Sequence, residues 1–130
     1  MMPNASTDPL NIMFSRSTDG GLTFSNAIDL LNDSNNNWQW FATTAIAPNG
    51  RIDVIWNDTR NDDGNTGNTF NSRMYYSYSY DAGLTFSKEQ AISPQFNSSL
   101  GYPVQRKMGD YIDMVSDNKG AHIAYTATYN

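Results

Sequence analysis

Cysteine is absent from the 130 residues, which excludes disulfides, thiol chemistry and cysteine-held zinc, and leaves the redox compartment open. The one histidine, His122, rules out a multi-histidine zinc site within a single chain. Glu89 is the one glutamate, so any glycosidase mechanism that needs a glutamate must use it or borrow one from another chain. Basic residues are scarce, 8 against 13 acidic, and the net charge of −5 repels a phosphate backbone and argues against nucleic acid as a partner. No apolar run approaches the roughly 20 residues of a membrane span. The opening residues, MMPNASTDP, carry neither the basic stretch nor the apolar stretch of a signal peptide. What is plentiful is core material. With 38% hydrophobic and 13% aromatic residues against 16% charged, the composition suits one domain or less and argues against wholesale disorder.

The chain repeats itself. Residues 15–25 (SRSTDGGLTFS) and 77–87 (SYSYDAGLTFS) agree at eight of 11 positions, with Asp19 and Asp81 standing 62 residues apart. A weaker pair joins Phe41–Asp58 to Tyr111–Ala127. Each has a small-residue run, then a turn at Asn49-Gly50 or Lys119-Gly120, then an apolar strand. One gap at the turn aligns Trp56 with Tyr125, an offset of 69 to 70, so an insertion separates the two repeat halves.

The periodicity is that of strands. Ile52, Val54 and Trp56 alternate with Asp53 and Ile55, and Met74, Tyr76, Tyr78 and Tyr80 alternate with Tyr75, Ser77 and Ser79. Pro48-Asn49-Gly50 reads as a tight hairpin turn. The one helical candidate, 25–31, is too short to stand. In the repeated motif, Asp19 and Asp81 are placed to accept backbone N–H groups of the following turn, as in an Asx-turn. Gly21 and Gly83 supply positive φ, the Thr hydroxyls close the loop, and Phe24 and Phe86 return to the interior.

The pattern Ser-x-Asp-x-Gly-x-Thr-Phe, carried by Ser17, Asp19, Gly21, Thr23 and Phe24 and again by Ser79, Asp81, Gly83, Thr85 and Phe86, resembles the Asp-box of the sialidase-like BNR-repeat β-propellers. Met108-Gly109-Asp110-Tyr111 and Trp56-Asn57-Asp58-Thr59-Arg60 resemble bacterial secreted members of that group. The resemblance implies an all-β fold of four-stranded antiparallel blades, with each Asp-box joining the third strand to the fourth. Residues 1–10 would be a tail and 11–130 a partial propeller. Within it, 11–30 would end one blade, 39–92 form a full blade and 110–127 begin the next. That is about two blades, where a closed ring takes roughly four to eight. Two expectations follow: a piece of a longer protein, or a self-completing ring, for which three chains supply about six blades.

Connections at 48–51, at 118–120 and at both Asp-boxes are short and fall on one face. Those at 31–39, 57–72 and 93–109 are long and fall on the other, where binding usually resides. They carry Trp38, Trp40 and Tyr102 as stacking platforms for sugar, and Arg60 and Arg106 as carboxylate clamps. Asp58, Asp110 and Asp113 are candidate acids, bases or acceptors, with Tyr111 beside them. Each has a structural reading too. Trp40 and Trp56 would pack the blades, Asp58 with Arg60 would anchor a loop, and Asp110 with Tyr111 would fix the entry to the innermost strand. Asp62, Asp63 and Asn65 offer oxygen ligands for calcium, but without EF-hand spacing, so no metal or other cofactor is expected. His122 reads as a packed or surface residue.

The family's catalytic pattern is three arginines for the sugar carboxylate, a tyrosine–glutamate nucleophile pair and an aspartate acid/base. Here the arginine-bearing opening motif is absent, Arg16, Arg51 and Arg73 fall near strands or on the short-turn side, and Glu89 follows an Asp-box on an outer strand. The expectation is a glycan-binding propeller portion without a complete catalytic site. The alternatives are an exo-glycosidase of sialidase type active only in a complete ring, and a structural or adhesion repeat with no small ligand. The resemblance implies an extracellular or cell-surface setting, where the sequons at Asn4, Asn32, Asn57 and Asn97 matter only in a eukaryotic secretory pathway.

Overall fold

A computed structural model describes residues 10–31, 37–62, 71–101 and 108–128. These residues form nine strands and no helix: β1 (Met13–Phe14), β2 (Ile28–Asp29), β3 (Gln39–Ile46), β4 (Ile52–Asp58), β5 (Asn71–Ser79), β6 (Gln90–Ala91), β7 (Phe96–Asn97), β8 (Asp113–Ser116) and β9 (Ala121–Ala124). All named strands pair antiparallel, in a β1–β2 ribbon, a central sheet ordered β3-β4-β5-β6 with β7 also on β5, and a β8–β9 ribbon. A single parallel bridge, Leu10 to Trp38, ties the first ribbon to the central sheet.

The period of two in β4 sorts its side chains between two cores. Ile52, Val54 and Trp56 face Ile12, Phe14, Leu30 and Leu31 of the first ribbon, together with Tyr75. Ile55, with Met74 and Phe96, faces Met114, Ile112, Ile123 and Tyr125 of the last ribbon. The central sheet is thus covered on both faces, and every residue of β4 is buried. Trp56 lies stacked on Tyr75 at 6.2 Å between ring centroids, inside the core between the central sheet and the first ribbon.

Two irregularities shape the sheet. In β3 one extra residue enters between Trp40 and Thr43 opposite β4, and Phe41 takes up the slack with a φ of 53°. On the far edge of β5, proline breaks the outer strand. β6 pairs with Tyr75 and Tyr76, Ser93-Pro94 bulges out, and β7 resumes at Asn71 and Ser72. The Ser93 hydroxyl accepts the Met74 N–H at 2.9 Å, standing in for the carbonyl that the bulge displaces. The outer strand therefore runs past the boundary expected at 92, and the first part of the 93–109 connection is strand rather than loop. Likewise β5 begins at Asn71, inside the 57–72 connection.

Register fixes which turns share an end. Ile46 pairs with Ile52 and Ile52 with Ser79, so the 47–51 turn and the loop after β5 leave the same end of the central sheet. Arg51 Nη2 donates to the Asp117 carbonyl at 3.1 Å and brings the 117–120 turn there. Arg16 Nη1 donates to the Ala82 carbonyl at 2.8 Å and brings the first Asp-containing loop to the second. Gln39, Asp58 and Arg73 mark the opposite end.

Candidate functional site

The two Asp-containing loops share one hydrogen-bond pattern, to which the second adds the Leu84 N–H donating to Asp81 Oδ1 at 3.0 Å. Ser17 Oγ donates to Asp19 Oδ1 at 2.7 Å, as Ser79 Oγ does to Asp81 Oδ1. The Gly21 and Gly83 N–H groups donate to those serine oxygens at 2.8 and 2.9 Å. Thr23 and Thr85 each donate their backbone N–H at 2.9 Å and their hydroxyl at 2.6 and 2.5 Å to the aspartate. Each loop is closed below by a strand pair, Ser25 N–H to the Arg16 carbonyl and Ser87 N–H to the Tyr78 carbonyl. Threonine and serine donors hold both carboxyls well below the usual carboxylate range. Both oxygens of each carboxylate accept bonds from within the loop, which makes these aspartates its structural anchors.

Gly20, Gly21 and Gly83 have φ between 74° and 89°, while Ala82 occupies the Gly20 position at 59°. An L-residue there carries about 1 kcal/mol of strain. Ala82→Gly relieves that strain and adds unfolded-chain entropy of similar size, so the urea midpoint should stay level or rise slightly. A loss above about 1 kcal/mol would contradict the equivalence of the loops. Gly83 tolerates no such change, because a methyl there would overlap the Phe14 ring, which packs edge-on against Phe86.

At the opposite end, Asp58 is buried and fully used. It accepts from Trp56 Nε1 at 3.2 Å, from the Arg60 N–H at 2.7 Å, and from Arg60 Nε and Nη2 at 3.0 and 2.7 Å. Arg60 Nη1 meets Glu89 at 2.8 Å, and its guanidinium lies 4.2 Å over the Tyr75 ring. Burial opposes the Arg60 charge, but its hydrogen bonds to Asp58 and Glu89 outweigh that and raise its pKa. Asp58 and Arg60 therefore anchor the loop after β4, and the clamp for a ligand carboxylate expected at Arg60 is taken up by two carboxylates of its own chain.

The other candidates separate. Trp38 is pinned through its backbone, accepting the Thr59 N–H at 3.0 Å and donating to Thr59 Oγ1 at 2.9 Å, while its side chain stays 44% exposed. Trp40 is half-buried in β3. Tyr111, just before β8, is 89% exposed, and Asp110 is exposed beside it. Asp113 opens β8 and accepts the Met114 N–H at 2.8 Å. Tyr102, Arg106, Asp63 and Asn65 lie outside the described residues. Asp62 donates its N–H to the Thr59 carbonyl, and no cluster of three metal-binding side chains occurs among the described residues. His122 is exposed, 3.1 Å from Asp117, whose pKa falls to about 2 through that contact and the N–H groups of Gly120 and Lys119.

Arginines do not converge among the described residues. Arg51 is held in the core by Asp53 at 2.7 and 3.0 Å, with Tyr76 OH donating to the same carboxylate at 2.6 Å. Burial penalises that carboxylate, and the bonds from Arg51 and Tyr76 outweigh it and lower its pKa. Asn57, one of the four sequons, is completely buried and closed to glycosylation in the folded state.

One candidate escaped the sequence reading. Phe41, at the β3 bulge, is 44% exposed in a left-handed backbone that bulky residues avoid. The repeat alignment that pairs Phe41 with Tyr111 carried the signal. Both residues lie at or just before the start of the first strand of a sheet, and β3 lies against β8.

The described residues thus define an all-β protein of antiparallel sheets with two aspartate-anchored loops at one end, where Phe24, expected inside, is exposed beside Tyr80, and with Trp38, Phe41 and Tyr111 exposed at the other. No helix among them is long and apolar enough to cross a membrane. No family model, curated protein or solved structure matches the chain.

Proposed function

We propose that this chain is part of a sialidase-like, Asp-box β-propeller and binds glycan at the end opposite the Asp-boxes, without a complete catalytic site of its own. The propeller reading is supported by the hydrogen-bond pattern the two loops share and by a β3-to-β6 sheet covered on both faces by further ribbons. The ligand reading is carried by one observation, the repeated exposed aromatic at Phe41 and Tyr111, with Trp38 exposed at the same end. Aromatic faces stack on the apolar faces of sugar rings, and polar neighbours such as Asp110 orient the hydroxyls. An extracellular or cell-surface setting accompanies this reading. Against the exo-glycosidase reading, Glu89 is engaged by Arg60 rather than by a tyrosine.

Calorimetry against sialyllactose, lactose and a neutral oligosaccharide panel tests it. Tyr111→Ala should weaken binding about tenfold, or roughly 1.4 kcal/mol, with the melting temperature unchanged because the side chain packs on little. No binding across the panel would leave the structural or adhesion reading in its place.

A further inference from the structure

The internal repeat makes the two terminal ribbons halves of the same sheet. By the 62-residue offset, β1–β2 corresponds to β5–β6, and by the 69- to 70-residue offset, β8–β9 corresponds to β3–β4. Within the central sheet those halves join through the β4–β5 ladder, from Ile52 opposite Ser79 to Asp58 opposite Arg73. Among the described residues, the corresponding ladder edges of the terminal ribbons, on β1 and β9, pair with no named strand. Exposed apolar side chains follow the same correspondence. Met13 is 54% exposed where its equivalent Tyr75 is 7% exposed. Phe24 is exposed where Phe86 packs on Phe14. Val115 is exposed where Ala45 joins the second core, and Ile46, across the sheet, is exposed as well.

We propose that the β9 edge of one copy pairs with the β1 edge of a second copy, head to tail, so that the two ribbons complete a four-stranded sheet. Transferring the β4–β5 register sets Ala121 opposite Ser17, His122 opposite Arg16 and Tyr125 opposite Met13 of the second copy. The same equivalence turns Val115 toward the second copy's β3, as Ala45 joins the core between β3 and β8, and lays Tyr76 against Phe24 of the second copy, by analogy with Phe14 against Phe86. The occupant is a second copy because the two ribbons correspond to the two halves of the central sheet, which this chain already joins once in the β4–β5 ladder. The contact is heterologous, and with two sheets' worth per chain a six-sheet ring closes at three copies. It uses main-chain hydrogen bonds at open edges, which are otherwise sites of uncontrolled pairing.

Light scattering behind size exclusion should give three times the 14.5 kDa chain mass. Val115→Lys, a surface change, should bring the mass down while circular dichroism stays that of a β protein. Arg16→Cys with His122→Cys places the only two cysteines across the new ladder, and oxidation should link chains into covalent multimers. A single-chain mass at all concentrations would overturn the proposal, as would an unchanged mass in the Val115→Lys variant or monomers only after oxidation. The mass is read without sugar, so its failure leaves the glycan reading standing, and the calorimetry above tests that reading separately.

Discussion

Asp58→Ala should lower stability by about 3–5 kcal/mol, the range for removing one partner from a buried ion pair. Four donors lose their acceptor at once, the Trp56 indole, the Arg60 N–H and two nitrogens of its guanidinium, and Arg60 keeps Glu89 alone. Asp58→Asn keeps the shape and part of the hydrogen bonding, so it should cost less, about 1.5–3 kcal/mol. Urea unfolding of both variants provides the measurement. A catalytic aspartate would behave otherwise, since its replacement would leave the midpoint in place. An unchanged midpoint in Asp58→Ala would show that the loop after β4 is held by something other than this carboxylate.

Trp56→Ala should cost a similar amount, about 3–5 kcal/mol, for a different reason. The indole is completely buried and stacked on Tyr75, and it lines the core that joins the central sheet to the first ribbon. Its removal opens a cavity among Ile12, Val54 and Tyr75, in the core between the central sheet and the first ribbon. The loss should therefore appear as both a lower melting temperature and early exposure of the β1–β2 amides in hydrogen exchange. Trp38→Ala is the control, because that side chain is 44% exposed and its position is fixed through the backbone. Equal losses at Trp38 and Trp56 would contradict the assignment of one to binding and the other to packing.

The fold was legible where a residue type has few alternatives. A Ser-x-Asp-x-Gly-x-Thr-Phe motif found twice implied one loop found twice, because the glycine donates to the serine, and the serine and threonine to the aspartate, within seven residues. The alternation at 52–56 implied a strand, but not that both of its faces are covered, since Asp53, Asn57 and Asp58 are buried only through partners the fold brings to them. Boundaries were less legible. Pro94 breaks the outer strand, but the Ser93 hydroxyl that repairs the ladder can be seen only with the Met74 N–H in place. The site was legible only in part. Trp38 was named from its loop, but Arg60 seemed available because its pairing with Glu89, 29 residues on, depends on the chain folding back over Tyr75. Phe41 stood only at the start of a repeat, since exposure at a bulge depends on register with β4, which composition does not encode.

The most direct test uses the three tryptophan indole N–H signals in an amide-proton NMR spectrum recorded while glycan is added. The expected result is a saturable shift of the Trp38 signal, with the Trp56 signal, hydrogen-bonded to Asp58 in the core, staying in place. Movement of Trp56 alone, or shifts confined to the loops at 17–25 and 79–87, would contradict a glycan site at the Trp38 end of the sheets.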